Sequence, residues 1–263
     1  MKQNKYFSPV RFSRLLRNDW LINQKTYLFT LAGLGIAIYA LFYFSMITTK
    51  HVGINQYTGF IVFYLMVVGV VIGTAFPALT NKIKTGNYLL APGSTLEKFL
   101  VQFVLRIVIF VPVALLIFWI SAHLAKASLI PDPKIGFDPA VSISDFRFSE
   151  LMDGIAFFDK MTIVFSIFST ACLFFAGSVY FNRFALVKTL ILTAIITGAV
   201  VFSFVVFSHI FYPESVHGFD IHLTNYKVTN DLYNTQLAGY LTAWLCWLFF
   251  LPLAYFKLKE KEV

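Results

Sequence analysis

Charge is what this chain has least of. Only 13% of its 263 residues are Asp, Glu, Lys or Arg, against about 25% in a soluble globular domain. Hydrophobic residues make up 58%, and together these values exclude an ordinary water-soluble enzyme. Cysteine is nearly absent as well. Cys172 and Cys246 both fall in apolar runs, so no disulfide framework or cysteine metal site can be read, and the two act as small apolar residues. The 13 acidic residues avoid the long apolar stretches. A carrier driven by protons or sodium needs an ionisable group at mid-membrane, so this absence weighs against one. The phosphate-binding pattern G-x-x-x-x-G-K-[ST] is missing, so the chain does not hold nucleotide in that way. The hydrolase signatures G-x-S-x-G and H-E-x-x-H are missing too, and no catalytic group can be nominated. No repeat or low-complexity tract is visible.

What is present is a set of six long stretches without Asp, Glu, Lys or Arg, covering more than half of the chain. A bilayer core of about 30 Å needs about 20 apolar residues at helical rise, and each stretch contains them. The expected fold is therefore all-α: a polytopic membrane protein with six transmembrane helices at 27–49, 57–79, 99–124, 162–181, 184–211 and 238–256. The Leu-, Ile- and Phe-rich runs lack the alternation of a β-barrel. A cytoplasmic arm, 1–26, precedes the six-helix domain, 27–256, and a short tail, 257–263, follows it. The arm is polar and basic, and no segment reads as a cleavable signal. With the N-terminus inside, fifteen of the 21 Lys and Arg fall on the cytoplasmic side while nine of the 13 acids fall outside. Both termini are therefore expected in the cytoplasm. The basic balance then reflects topology and anionic lipid, and offers no argument for nucleic acid as a partner.

Four segments carry further information. In the arm, Ser8 and Pro9 start a helix, with Phe12, Leu15, Leu16 and Trp20 on one arc and Arg11, Arg14 and Arg17 on the other. Such a helix is expected to lie in the headgroup plane with its arginines toward phosphate. The inner loop 80–98 breaks at Pro92 and Gly93, after which Ser94 and Glu97 form a capping box and start the third span at Thr95. Before that break, Tyr88, Leu89 and Leu90 are expected at or near water, as on a docking surface. Within the third span, Arg106 is the one charge well inside. Snorkelling to the cytoplasmic headgroups is the favoured reading and a substrate contact the second. Pro112, and Pro252 in the sixth span, can kink their helices and open a pathway, while Gly69 and Gly73 allow close packing.

The outer loops, 125–161 and 212–237, are polar. Val141, Ile143, Phe146 and Phe148 suggest local packing in the first. His209, Glu214, His217, Asp220 and His222 in and before the second have zinc-like residue types, but nothing rigid to present them; no metal is assigned.

The string Tyr88-Leu89-Leu90-Ala91-Pro92-Gly93-Ser94-Thr95-Leu96-Glu97-Lys98-Phe99 is similar to the LLP-x-S-x-x-EK-F entrance to the third span of type-two ATP-binding-cassette (ABC) transporter permeases, in particular the short six-span permeases of Bacteroidetes-like bacteria. The resemblance covers nearly the whole chain: basic arm, six spans, both ends inside. It implies a permease subunit of an exporter-like transporter in the bacterial cytoplasmic membrane, paired with a second permease copy or paralogue. A separate ATPase would carry ATP and magnesium, and the chain itself would be no enzyme and hold no cofactor. The implied ATPase-facing residues are Lys84, Gly86, Asn87, Tyr88, Leu89 and Leu90, with Ser94 and Glu97 fixing the helix that transmits movement. The segment 212–236 is more polar than the apolar hairpin the family often places there. Two other readings stand beside it: a membrane assembly scaffold using its outer loops, and an intramembrane lipid-modifying enzyme using His217, Asp220 or His222.

Overall fold

The computed structural model describes residues 7–49, 51–52, 54–80, 85–86, 88, 92–129, 142–143, 145–181, 184–211, 216–217, 220–221, 227–229 and 232–261. Helices dominate, and the strands among these residues are pairings of two or three residues. Among the described residues five helices are long and apolar enough to cross a membrane, and the second helix in chain order is a shorter apolar one, which makes this a multi-pass membrane architecture.

The first, α1 (Pro9–Thr49), corrects one expectation. The arm and the first span are not separate elements, and the helix runs straight through position 27. The reason lies in the sequence: no proline or glycine occurs between Pro9 and Gly33, so nothing stops the helix at the membrane surface. At 41 residues it is about 60 Å long, twice the hydrocarbon core. Its polar end therefore projects beyond the lipid.

The second helix, α2 (Ile54–Ile72), is 19 residues long and shorter than the expected 57–79. It ends where Gly73 and Thr74 turn, and a 3-10 turn, Pro77–Thr80, follows. The third, α3 (Thr95–Leu129), is continuous and starts at Thr95, where the Ser94 and Glu97 capping box put it, four residues before the apolar stretch itself. Its residues Val104–Ile109 are wound as a π-helix, with the Phe110 N–H donating to the Leu105 carbonyl five residues back. Pro112 lies just beyond; it has no N–H, and its ring crowds the carbonyl four residues earlier, which favours the wider turn. After a short helix, α4 (Phe148–Leu151), come α5 (Phe157–Tyr180), α6 (Ala185–Phe211) and α7 (Asn234–Glu260).

Packing follows two pairs, α1 with α3 and α5 with α7, with α2 contacting both and α6 lying against α5. Close approach of α2 and α5 depends on Gly69, where a Cβ would stand 2.8 Å from the Phe174 ring. At one end of the bundle the core is aromatic. Phe118 of α3 is fully buried, with ring centroids 5.1 Å from Phe42, 5.3 Å from Tyr64 and 5.2 Å from Phe146. Phe146 comes from the expected outer loop, whose strand Ser142–Ile143 pairs in parallel with His51–Val52. Phe148 joins it at 4.9 Å, so the local packing expected around Ile143, Phe146 and Phe148 is present, while Val141 lies outside the described residues. Toward the other end a second aromatic set, Phe76, Phe99, Phe175 and Tyr255, closes the junction of α2, α3, α5 and α7.

Candidate functional site

Where the polar end of α1 meets the start of α3, four side chains that can carry charge or strong hydrogen bonds leave solvent on one helix. Glu97, Lys98, Gln102 and Arg106 are all less than a tenth exposed. Lys98, Gln102 and Arg106 follow one another at four-residue spacing, so helical periodicity turns these three toward one flank of α3, while Glu97 stands at its first turn.

Glu97 is the first node. The Ser94 side chain accepts from the Glu97 N–H at 3.2 Å, and Glu97 Oε2 accepts from the Ser94 N–H at 3.0 Å, a complete capping box. Its other oxygen, Oε1, accepts from the Ser8 N–H at 2.7 Å and from Arg11 Nε and Nη2 at 3.2 and 3.1 Å. One carboxylate therefore serves the starts of two helices, α1 and α3, where backbone N–H groups and helix dipoles both favour negative charge. The close fit extends to Gly93, where a Cβ would meet Leu15 Cδ1 at 2.7 Å. Arg11 is thus a partner of Glu97, which corrects its assignment to lipid phosphate. Arg14 and Arg17, in contrast, are exposed. Trp20, 40% exposed, stacks on Tyr27 with centroids 5.7 Å apart.

Asp19 is the second node. Its carboxylate accepts from Tyr27 Oη at 3.0 Å, Gln102 Nε2 at 2.9 Å and Asn23 Nδ2 at 3.2 Å. Arg106 lies beside this cluster, its guanidinium carbon 4.7 Å from the centre of the Tyr27 ring. It is 6% exposed, within the protein rather than on its outer surface. The side chain is buried inside the protein because the unbroken α1 brings Asp19 and Tyr27 against the π-helical turn that carries Arg106. Two atoms here are left over: Gln102 Oε1 and Arg106 Nε have no hydrogen-bond partner among the described residues.

Between the two helices lies a partly enclosed cavity of about 570 Å3. Asp19, Gln102, Arg106 and Lys98 supply its polar wall, and Leu15, Ile22, Phe76 and Val101 its apolar one. Tyr88 forms a further side, its ring 6.3 Å from Phe76 and the Lys98 Nζ 5.9 Å above it. A smaller, wholly apolar groove of about 130 Å3 adjoins at Tyr27, walled by Trp20, Leu31, Leu105 and Ile109 among others.

Of the residues expected to face an ATPase, Tyr88 is half-buried against this cavity and Gly86 is exposed with open space around its Cα. Thr85 Oγ1 donates to the Ala78 carbonyl at 3.0 Å, tying the segment to the turn that follows α2. Lys84, Asn87, Leu89 and Leu90 lie outside the described residues. Pro112 is exposed on α3, and so is Pro252 on α7. Pro112 does not line the cavity described above; it follows the π-helical turn directly. Glu214 and His222 lie outside the described residues, and among those described no three His, Cys, Asp or Glu side chains gather as a metal site. Sequence reasoning missed Asp19, Tyr27 and Gln102. The signal for Gln102 was its four-residue spacing from Arg106 on the third span; that for Asp19 and Tyr27 was their eight-residue spacing, visible only if the arm and the first span are read as one helix.

No family model matches the chain, and neither a curated protein nor a solved structure does.

Proposed function

We propose that this chain is the membrane-spanning permease subunit of an ATP-driven transporter of the exporter type, in a bacterial cytoplasmic membrane. In this reading it has six spans with both termini inside, α2 being the second, and works as a dimer with a second permease copy or paralogue. A separate ATPase supplies ATP and magnesium and docks on the loop between α2 and α3. The resemblance of residues 88–99 to the family's coupling loop is the starting point. The observation that carries the reading is mechanical: Thr85 is bonded to Ala78, and Tyr88 packs on Phe76 and under Lys98, so this short segment touches the turn that follows α2 and the start of α3 at once.

A push on Tyr88 would reach that turn and α3 directly. Through Glu97 it would also reach Ser8 and Arg11, so α1 would follow α3. Such a linked set of helix ends suits a two-state movement biased by a partner that binds one state better. The chain needs no catalytic group of its own for this role. The test is co-expression with a P-loop ATPase encoded in an adjacent reading frame. Tyr88→Asp and Leu89→Asp are expected to abolish co-purification of the ATPase while membrane insertion persists. Undiminished co-purification contradicts the reading.

A further inference from the structure

We propose that the cavity between α1 and α3 is a binding site for one phospholipid of the leaflet on the arm's side, specifically an anionic phosphodiester lipid whose headgroup carries a hydroxyl donor, as phosphatidylglycerol does. The proposal is independent of the permease reading. It also differs from unspecific contact between Arg14 or Arg17 and headgroups, because it rests on a built interior site.

Four observations converge on it. First, the buried Arg106 lines the cavity with its Nε–H unused, and the equally buried Gln102 lines it with Oε1 unused. An unused donor beside an unused acceptor, both shielded from bulk water, asks for a ligand that accepts and donates. A phosphodiester oxygen accepts from arginine, and a headgroup hydroxyl donates to the amide oxygen. Second, the cations Arg106 and Lys98 both line the wall, which suits an anionic headgroup. Third, the adjoining groove at Tyr27 is lined without polar surface, which suits an acyl chain and has no use for a soluble phosphate ester. Fourth, the length is right. Arg106 follows Lys98 by eight residues, about 12 Å along the helix, so the polar wall is long enough to reach from a headgroup to the start of its acyl chains. The volume, about 570 Å3, lies in the range of about 300–1,000 Å3 common to small-molecule sites.

The experiment uses the full-length chain, purified in detergent, stripped of lipid and titrated separately with phosphatidylglycerol and phosphatidylcholine, with bound lipid counted by native mass spectrometry. Phosphatidylglycerol is expected to bind about tenfold more tightly or better, since phosphatidylcholine offers neither net negative charge nor a hydroxyl donor. Arg106→Gln is expected to remove that preference, and Gln102→Leu to reduce it. Equal binding of the two lipids by the unaltered chain overturns the proposal, as does an undiminished preference in Arg106→Gln. Glycerophosphoglycerol, the headgroup without acyl chains, is expected to compete poorly; competition as strong as that of the lipid would make the ligand soluble and overturn the lipid assignment. A readout on the unaltered chain covers the case in which a variant fails to fold. In vesicles of phosphatidylcholine with a minor fraction of acyl-brominated phosphatidylglycerol, Trp20 fluorescence, isolated by difference from Trp20→Phe, should be quenched more than by brominated phosphatidylcholine at the same fraction. Equal quenching would also overturn it. No ATPase takes part in either assay, so failure here and failure of the transporter reading are separate results.

Discussion

The end of α3 around Phe118 and the α1-facing flank of its opposite end are built on opposite principles, although Phe99 keeps an aromatic contact on the other flank there. Around Phe118 the helix is closed by aromatic rings at centroid distances of 5.1 to 5.3 Å, and the side chain is fully buried. Around Glu97 to Arg106 it is closed by carboxylates, amides and a guanidinium, two of whose atoms find no partner among the described residues. Aromatic packing of the first kind is short-ranged and close to crystal density, so it resists rearrangement. A hydrogen-bonded cluster with vacant positions can exchange partners at small cost, and it can accept a ligand. One helix thus joins an anchor to a part that can move.

The comparison is tested most severely at the anchor. Phe118→Ala should lower stability by about 3–5 kcal/mol, the range for deleting a buried aromatic ring. Thermal unfolding in detergent measures it. ATPase co-purification and lipid preference of the protein that remains folded should not change, and if they change with Phe118 the two ends are not separable. Next in size is Glu97→Ala, expected to cost about 2–4 kcal/mol because the N–H groups of Ser8 and Ser94 lose their acceptor and Arg11 its partner. Here the functional loss should exceed the loss of stability, with co-purification of the ATPase falling in protein that still unfolds cooperatively.

The smallest effect belongs to pH. Asp145, beside the aromatic end, is held below the ordinary carboxylate value, first by the hydrogen bond from Lys126 and then by its charge. A carboxylate lowered in the folded state adds stability that is complete above its unfolded value and vanishes as pH falls through its folded value. The pair is exposed, so the change should be slight, and Asp145→Asn should remove it from a series of melts between neutral and acid pH. A large acid transition surviving in Asp145→Asn would place the titrating group elsewhere.

Much of the helical layout was legible because lipid imposes a length and a polarity on every span. The Ser94 and Glu97 capping box was legible because both partners lie within one helical turn. The long-range half of the same node was not, since Arg11 and Glu97 are 86 residues apart and each has an adequate local reading, one at phosphate and one at a helix start. The contacts of Arg106 were hidden for a related reason. Its neighbours Asp19 and Tyr27 stand on a helix whose polar half looked like a separate arm, and nothing in residues 104–109 announces a π-helical turn. The end of α2 escaped notice as well, because hydropathy continues past Ile72 while the backbone turns at Gly73. Composition reports what a segment can enter; it is silent on which side chains from distant segments share its flank.

Coupling to an ATPase requires the segment around Tyr88 to face the cytoplasm. Gly86 is the position at which to measure this, because it is exposed and a Cβ added there meets no atom of the described residues within 4 Å. In a chain with Cys172→Ala and Cys246→Ala, Gly86→Cys should react with a membrane-impermeant maleimide in inside-out vesicles and stay unlabelled in intact spheroplasts. Labelling in intact spheroplasts would put the segment on the outer side and contradict the account.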